Sequence, residues 1–177
     1  MGWNYSLNQD ISLVRGASRM QNKEWGVIIT WKFNVPPYLD TGSQILNQMR
    51  TAYECGAKYF VLFNYYFDGS GPYGMMTDEY FEALESFWND VVKSPNVVHG
   101  SIQADTVFVL PENYGWGMRS SEDKIWGIFK PDNKTQLIGD QLESILNEHG
   151  IKTDIIYEDE KFSLPQEYHH IYYWNQN

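Results

Sequence analysis

The chain has 177 residues, enough for one sizeable domain or two small ones, and its formal net charge is −10 at pH 7. Nucleic acids and anionic membranes are bound through clustered Lys and Arg, so this charge argues against both as partners. The single cysteine, Cys55, excludes an internal disulfide and a multi-cysteine metal site. No signal peptide or membrane-spanning segment is recognisable, so we expect a soluble protein of undetermined compartment, with the cytoplasm as the default.

The first hundred residues predict helix, strand, helix, strand and helix in that order. The first helix runs from Leu7 to Met20 and has apolar residues at every third position, which are Ile11, Val14, Ala17 and Met20. Two apolar runs, Trp25 to Trp31 and Tyr59 to Tyr65, predict neighbouring parallel strands joined by a helix over Thr41 to Glu54. The third helix begins after Thr77 and has a shared apolar face made of Phe81, Leu84, Trp88 and Val91.

The second half has its own β-α-β order and follows a connector at residues 95–104. Its predicted strands are Thr106 to Leu110, Ile125 to Phe129, Thr153 to Tyr157 and Ile171 to Trp174, with a helix over Leu137 to His149. Gly150 is placed to end that helix. We therefore predict an α/β protein of two domains, residues 1–100 and residues 101–177.

Both halves resemble parts of known enzymes. The first half resembles the last two strands and three helices of a glycoside-hydrolase-type (β/α)8 barrel, on the segments Arg15 to Ser18, Trp25 to Trp31, Pro36 to Tyr38 and Gly56 to Tyr65. The second half resembles the flavodoxin-like domain that follows the barrel in several β-galactosidase-type enzymes, on the segments Val109 to Pro111, Tyr114 to Arg119 and Thr153 to Tyr157. The resemblance implies partial (β/α) barrel repeats followed by a small flavodoxin-like three-layer α/β domain.

The sequence departs from this resemblance where catalysis is concerned. Such hydrolases need two carboxylates, about 5 Å apart in retaining enzymes. The end of the first strand has Thr30, Trp31 and Lys32 and no glutamate, and the strand expected to bear the acid would precede Met1. We therefore assign no catalytic residue, and we expect a missing N-terminal barrel half or another subunit as a partner, unless the two halves merge into one sheet.

The candidate substrate-binding residues follow the carboxyl ends of the first two strands, where parallel α/β folds bind ligands. They are Trp31, Lys32, Tyr38, Asn64, Tyr65, Tyr66 and Asp68. The aromatic rings suit stacking on a sugar, or they fill the mouth of the barrel. Asn64 suits a pair of hydroxyls or anchors a loop. Lys32 binds an anion or pairs with Asp40, and Asp68 with Asp40 is a possible acid and base pair.

No metal or cofactor is predicted. In Tyr114 to Arg119, Ser120 stands where a dinucleotide-binding fingerprint needs its third glycine, so we expect a tight aromatic loop there. The histidines, His99, His149, His169 and His170, lack companion ligands. The leading hypothesis is a carbohydrate-contacting fragment or subunit of a glycoside-hydrolase-like protein. The alternatives are a non-catalytic assembly module and a flavodoxin-like cofactor-binding protein.

Overall fold

A computed structural model describes residues 6–30, 40–63, 77–114 and 130–176. It confirms the α/β class: the described chain contains helices and short parallel sheets. The chain divides into two compact units, one of residues 1–5 and 24–101 and the other of residues 6–23 and 102–177. The described strands form one sheet of two strands and one of three, so these strands of the two halves do not merge into a single sheet.

The first unit is built on a parallel pair of strands. Strands β1 (Gly26–Thr30) and β2 (Tyr59–Phe63) pair in register, with Gly26 opposite Tyr59 and Thr30 opposite Phe63. The intervening helix α2 (Gly42–Glu54) begins with a capping box between Thr41 and Gln44. Helix α3 (Asp78–Trp88) continues into a π-helical turn at Asn89–Lys93.

One face of this sheet packs on the helices. Val27 and Ile29 are buried, and Phe60 lies 5.0 Å from the ring of Phe87 on α3 between ring centroids. On the opposite face Tyr59 and Val61 stay about half exposed, at 54% and 50%. The two faces of the described strand pair therefore have different surroundings.

The second unit is built on a parallel sheet of three strands. Helix α1 (Leu7–Gln21) belongs to this unit, and the sheet order is β4 (Thr153–Tyr157), β3 (Thr106–Leu110), β5 (His170–Tyr173). Helix α4 (Thr135–His149) leads through a short 3₁₀ turn, Gly150–Lys152, into β4. Strand β3 is buried along its whole length because it lies between two neighbours and both of its faces are covered.

Alternate residues of the central strand enter different parts of the core, as the period of a β-strand requires. Phe108 and Leu110 pack with Ile138, Leu142 and Ile145 of α4. Val107 and Val109 pack with Ile156 and Tyr168, and Met20 of α1 lies against this second cluster. The sheet is therefore covered by helices on both sides, which accounts for the continuous apolar run in β3.

The position of α1 differs from the sequence expectation. The helix itself is confirmed, but it belongs to the second unit, where it packs against β4. Its buried residues are Ile11, Ser12, Arg15 and Gly16, whereas Ala17, one of the apolar residues at every third position, is exposed. The reason is a polar contact with β4, which brings the face bearing Arg15 inward. The division at residues 100 and 101 stays a prediction.

The buried face of α3 also differs from the expected one. The structure buries Tyr80, Ala83 and Phe87, while Phe81 and Trp88 are 56% and 54% exposed. Tyr80 donates a hydrogen bond of 2.6 Å to the carbonyl oxygen of Asp40, and the ring of Phe87 packs edge-on against Tyr53. These contacts turn the helix so that one apolar stripe faces solvent. The run predicted at residues 125–129 lies outside the described residues.

Candidate functional site

The carboxyl ends of β1 and β2 lie side by side. The strands are parallel and their last residues, Thr30 and Phe63, are register partners. The chain continues from these ends into the predicted binding residues, but every one of them lies outside the described residues, namely Trp31, Lys32, Tyr38, Asn64, Tyr65, Tyr66 and Asp68. The structure thus places the carboxyl ends of β1 and β2 next to each other. The roles of the side chains that follow them stay predictions.

Asp40, the suggested partner of Lys32 or Asp68, is 5% exposed and already has a structural role. Its carboxylate accepts a hydrogen bond of 3.0 Å from Nε2 of Gln48, and its carbonyl accepts one from Tyr80. Burial, together with the nearby carboxylates of Asp40 and Glu79, raises the pKa of Tyr80 to about 12. Tyr80 therefore remains a neutral donor and holds the backbone before α2 in place.

Asp78 and Glu79 occupy the first turn of α3, where the helix dipole favours carboxylates. Glu79 also accepts a hydrogen bond of 2.7 Å from the backbone nitrogen of Gly42, at the start of α2. One carboxylate thus serves the amino ends of two helices. Both residues therefore have a structural role at the start of α3.

A cleft lies at the carboxyl end of the three-stranded sheet. Its volume is about 430 Å³, within the range of small-molecule sites. Met20 and Leu164 supply partly exposed apolar surface, Tyr157 and Tyr173 supply aromatic surface, and the buried Val109 and Ile156 lie at the base of the cleft. Since parallel sheets place ligands outside the carboxyl ends of their strands, this cleft is a second candidate site. Sequence reasoning missed it, although Tyr157 followed by Glu158 is a change from apolar to polar at a strand end.

The described residues that line this cleft include carboxylates and no Lys or Arg. The acidic residues are Glu112, Glu158, Asp159 and Glu160. The side chains of Glu158 and Glu160 have no hydrogen-bond or ion-pair partner within the described part of the chain, whereas Asp159 accepts a hydrogen bond from the backbone nitrogen of Lys161. The cleft therefore concentrates negative charge next to apolar and aromatic surface.

The chain leaving β3 is anchored to the start of α4. The hydroxyl of Tyr114 donates a hydrogen bond of 2.8 Å to Oδ1 of Asp132, which also accepts from the backbone nitrogens of Lys134 and Thr135. Burial opposes the ionised form of Asp132, but these hydrogen bonds outweigh it and lower its pKa. Two backbone nitrogens at the start of α4 are thus bound by a side chain of the protein itself.

A buried ionic network lies at the opposite, amino end of this sheet. Asp154 of β4 is fully buried, and its carboxylate accepts from Nε of Arg15 at 2.6 Å and from Arg19 at 3.0 Å. The hydroxyl of Tyr168 donates to the same carboxylate at 2.7 Å. Arg15 also donates to the carbonyl oxygens of Ile151 and Thr153. Every group in this network has partners, so the network is structural.

The network also shifts the pKa values of Arg19 and Tyr168. Burial opposes the charge on Arg19, but Asp154 outweighs this effect, and the pKa of Arg19 lies above its usual value. Burial and the Asp154 carboxylate raise the pKa of Tyr168. Arg15 and Arg19 are four residues apart on one helix face, which is the one sequence signal that points to a shared partner.

In residues 6–30, 40–63, 77–114 and 130–176, no three His, Cys, Asp or Glu side chains are placed so that they could hold a metal ion together. Cys55 is buried. None of the described helices is long and apolar enough to cross a membrane.

Comparison of the chain with protein-family models, with curated proteins and with solved structures gives no match. The class that the structure defines is an α/β protein with small parallel sheets.

Proposed function

We propose that this chain is a C-terminal fragment or subunit of a glycoside-hydrolase-like protein, with partial barrel repeats followed by a flavodoxin-like domain. It contributes carbohydrate contacts at the carboxyl ends of β1 and β2 and has no complete catalytic carboxylate pair of its own. The observation that favours this proposal is the in-register parallel pairing of β1 with β2, which aligns Thr30 with Phe63. Aromatic and amide residues follow both of these aligned ends in the sequence.

The two faces of the strand pair in the first unit are covered differently, as expected for strands of a (β/α) barrel. Helices cover one face of the strand pair, as the outer helices of a barrel do, while Val61 on the other face is half exposed. In a closed barrel that second face packs against the remaining strands.

The carbohydrate proposal predicts that the chain binds an oligosaccharide through Trp31. Titrating a panel of neutral oligosaccharides by calorimetry should give binding that Trp31→Ala weakens on the order of tenfold, about 1.4 kcal/mol. Trp88→Ala is the matched control, because it removes a tryptophan that is 54% exposed on α3. Equal weakening by both variants, or binding by no member of the panel, would contradict the proposal.

A second candidate function, assembly, is favoured by the exposed stripe on α3. Phe81, Trp88 and Val92 are 56%, 54% and 50% exposed, and their spacing of seven and four residues places them on one side of the helix. Glu82 and Glu85 are exposed on the same helix. An apolar stripe with acidic neighbours suits a partner helix that presents apolar and basic residues.

Assembly through this stripe predicts self-association or capture of such a helix. If the chain self-associates, light scattering coupled to gel filtration should show a mass that rises with concentration, and the double variant F81S/W88S should remain a monomer. F162S is the control, since it removes an exposed aromatic residue of the second unit. A monomeric wild-type chain that also fails to bind an amphipathic basic peptide would eliminate assembly and leave the carbohydrate proposal untouched.

A further inference from the structure

We propose that the cleft at the carboxyl ends of β3 and β4 binds a small organic cation, in which an ammonium group is joined to an apolar body or to a sugar ring. This site lies within the second unit and does not depend on the proposed function of the first. Its residues come from the ends of three neighbouring strands and from the segment after β4.

The shape and lining of the cleft suit a ligand with an apolar part. The cleft of about 430 Å³ has Met20, Phe162 and Leu164 as partly exposed apolar lining, so burial of a hydrocarbon or of the apolar side of a ring is favourable there. Tyr157 and Tyr173 add aromatic faces, which attract ammonium groups through the ring quadrupole.

The charge of the residues that line the cleft favours a positively charged ligand. Glu112, Glu158, Asp159 and Glu160 contribute carboxylates, and no Lys or Arg lines the cleft among the described residues. Because the walls exclude part of the solvent, the potential of these carboxylates is focused into the cleft. An ammonium group placed there gains attraction from several carboxylates at once.

Within the described part of this edge, the start of α4 is poorly suited to a phosphate-bearing cofactor. Flavodoxin-like sheets bind phosphate at this edge through free backbone nitrogens at a helix start. In this chain the backbone nitrogens of Lys134 and Thr135 at the start of α4 already donate to Asp132. The carboxylates of the cleft would in addition repel a phosphate, so a cation is the ligand that both observations favour.

The proposal is tested by titrating the whole chain with matched pairs of probes that differ in charge. Choline is compared with its neutral carbon isostere 3,3-dimethylbutan-1-ol, and glucosamine with glucose, so that a quaternary ammonium on an alkyl chain and an amino sugar are distinguished. We expect at least one cation to bind about tenfold or more tightly than its neutral counterpart. Raising the ionic strength from about 0.01 M to about 1 M shortens the Debye length from about 30 Å to about 3 Å and should weaken that binding.

The double variant E158Q/E160Q should weaken binding of the cation about tenfold and leave the neutral probe unchanged, because it removes charge and little volume. E143Q on α4 is the control, since Glu143 is also exposed and does not line the cleft. Both variants change exposed side chains, and unchanged circular dichroism would confirm folding. Equal binding of charged and neutral probes, an equal effect of the two variants, or tighter binding of inorganic phosphate would each overturn the proposal.

Discussion

The variant Asp154→Asn is expected to lower the free energy of unfolding of the second unit by about 3–5 kcal/mol. Asp154 is fully buried and is the carboxylate to which both Arg15 and Arg19 donate. Asparagine keeps the shape of the side chain but leaves the buried guanidinium of Arg15 without its counter-charge. Urea unfolding, together with hydrogen exchange of the amides in β3 and β4, measures the loss in this unit specifically.

Glu167→Gln is the matched control for this prediction. Its carboxylate accepts a hydrogen bond of 3.2 Å from Arg19 in the same network, but its side chain is 72% exposed. An exposed pair of this kind contributes at most about 1 kcal/mol. If the two variants had equal effects, burial of the network would not be the source of its stabilising role.

The variant Gly16→Ala is expected to destabilise the second unit by about 1–3 kcal/mol, although alanine is the better helix former. A Cβ atom at this position would overlap the carbonyl oxygen of Ile155 and would lie 3.0 Å from Cγ2 of Ile156. Helix α1 would have to move away from β4, and such a movement would stretch the hydrogen bonds of Arg15. Thermal or urea unfolding measures the change.

Ala17→Gly provides the comparison at the next residue of the helix, which is exposed. Because residue 17 is exposed, only helix propensity should change there, and glycine should lower the free energy of unfolding by about 1 kcal/mol. If propensity alone governed residue 16 as well, Gly16→Ala would stabilise the protein by a similar amount. A stabilised Gly16→Ala variant would show that the close approach of α1 to β4 is unimportant.

The predicted elements agree with the structure where an apolar pattern was strong. The strands Thr106–Leu110 and Thr153–Tyr157 and the helix Thr135–His149 lie within a few residues of their predicted bounds. Such runs are informative because burial on both faces leaves little choice of residue in a central parallel strand. Helix α1 ends at Gln21, and the next residue, Asn22, has a φ of 51° in the left-handed region. Asparagine tolerates this conformation, so a turn residue marks the end of the helix.

The sites were less predictable than the elements. The binding residues predicted after β1 and β2 lie outside the described part of the chain, so their roles await experiment. The cleft of the second unit joins residues from three strands, and no local pattern connects Val109, Ile156 and Tyr173. Only the pairing of the strands brings them together.

The sequence by itself determined the α/β class and the order of helices and strands, since both follow from local periodicity and from turn residues. The tertiary structure alone decided where α1 packs and which faces of α1 and α3 are buried. The physical reason is that these choices rest on distant partners: Arg15 is buried because a carboxylate 139 residues away compensates its charge. Hydrophobic periodicity contains no information about a contact of that kind.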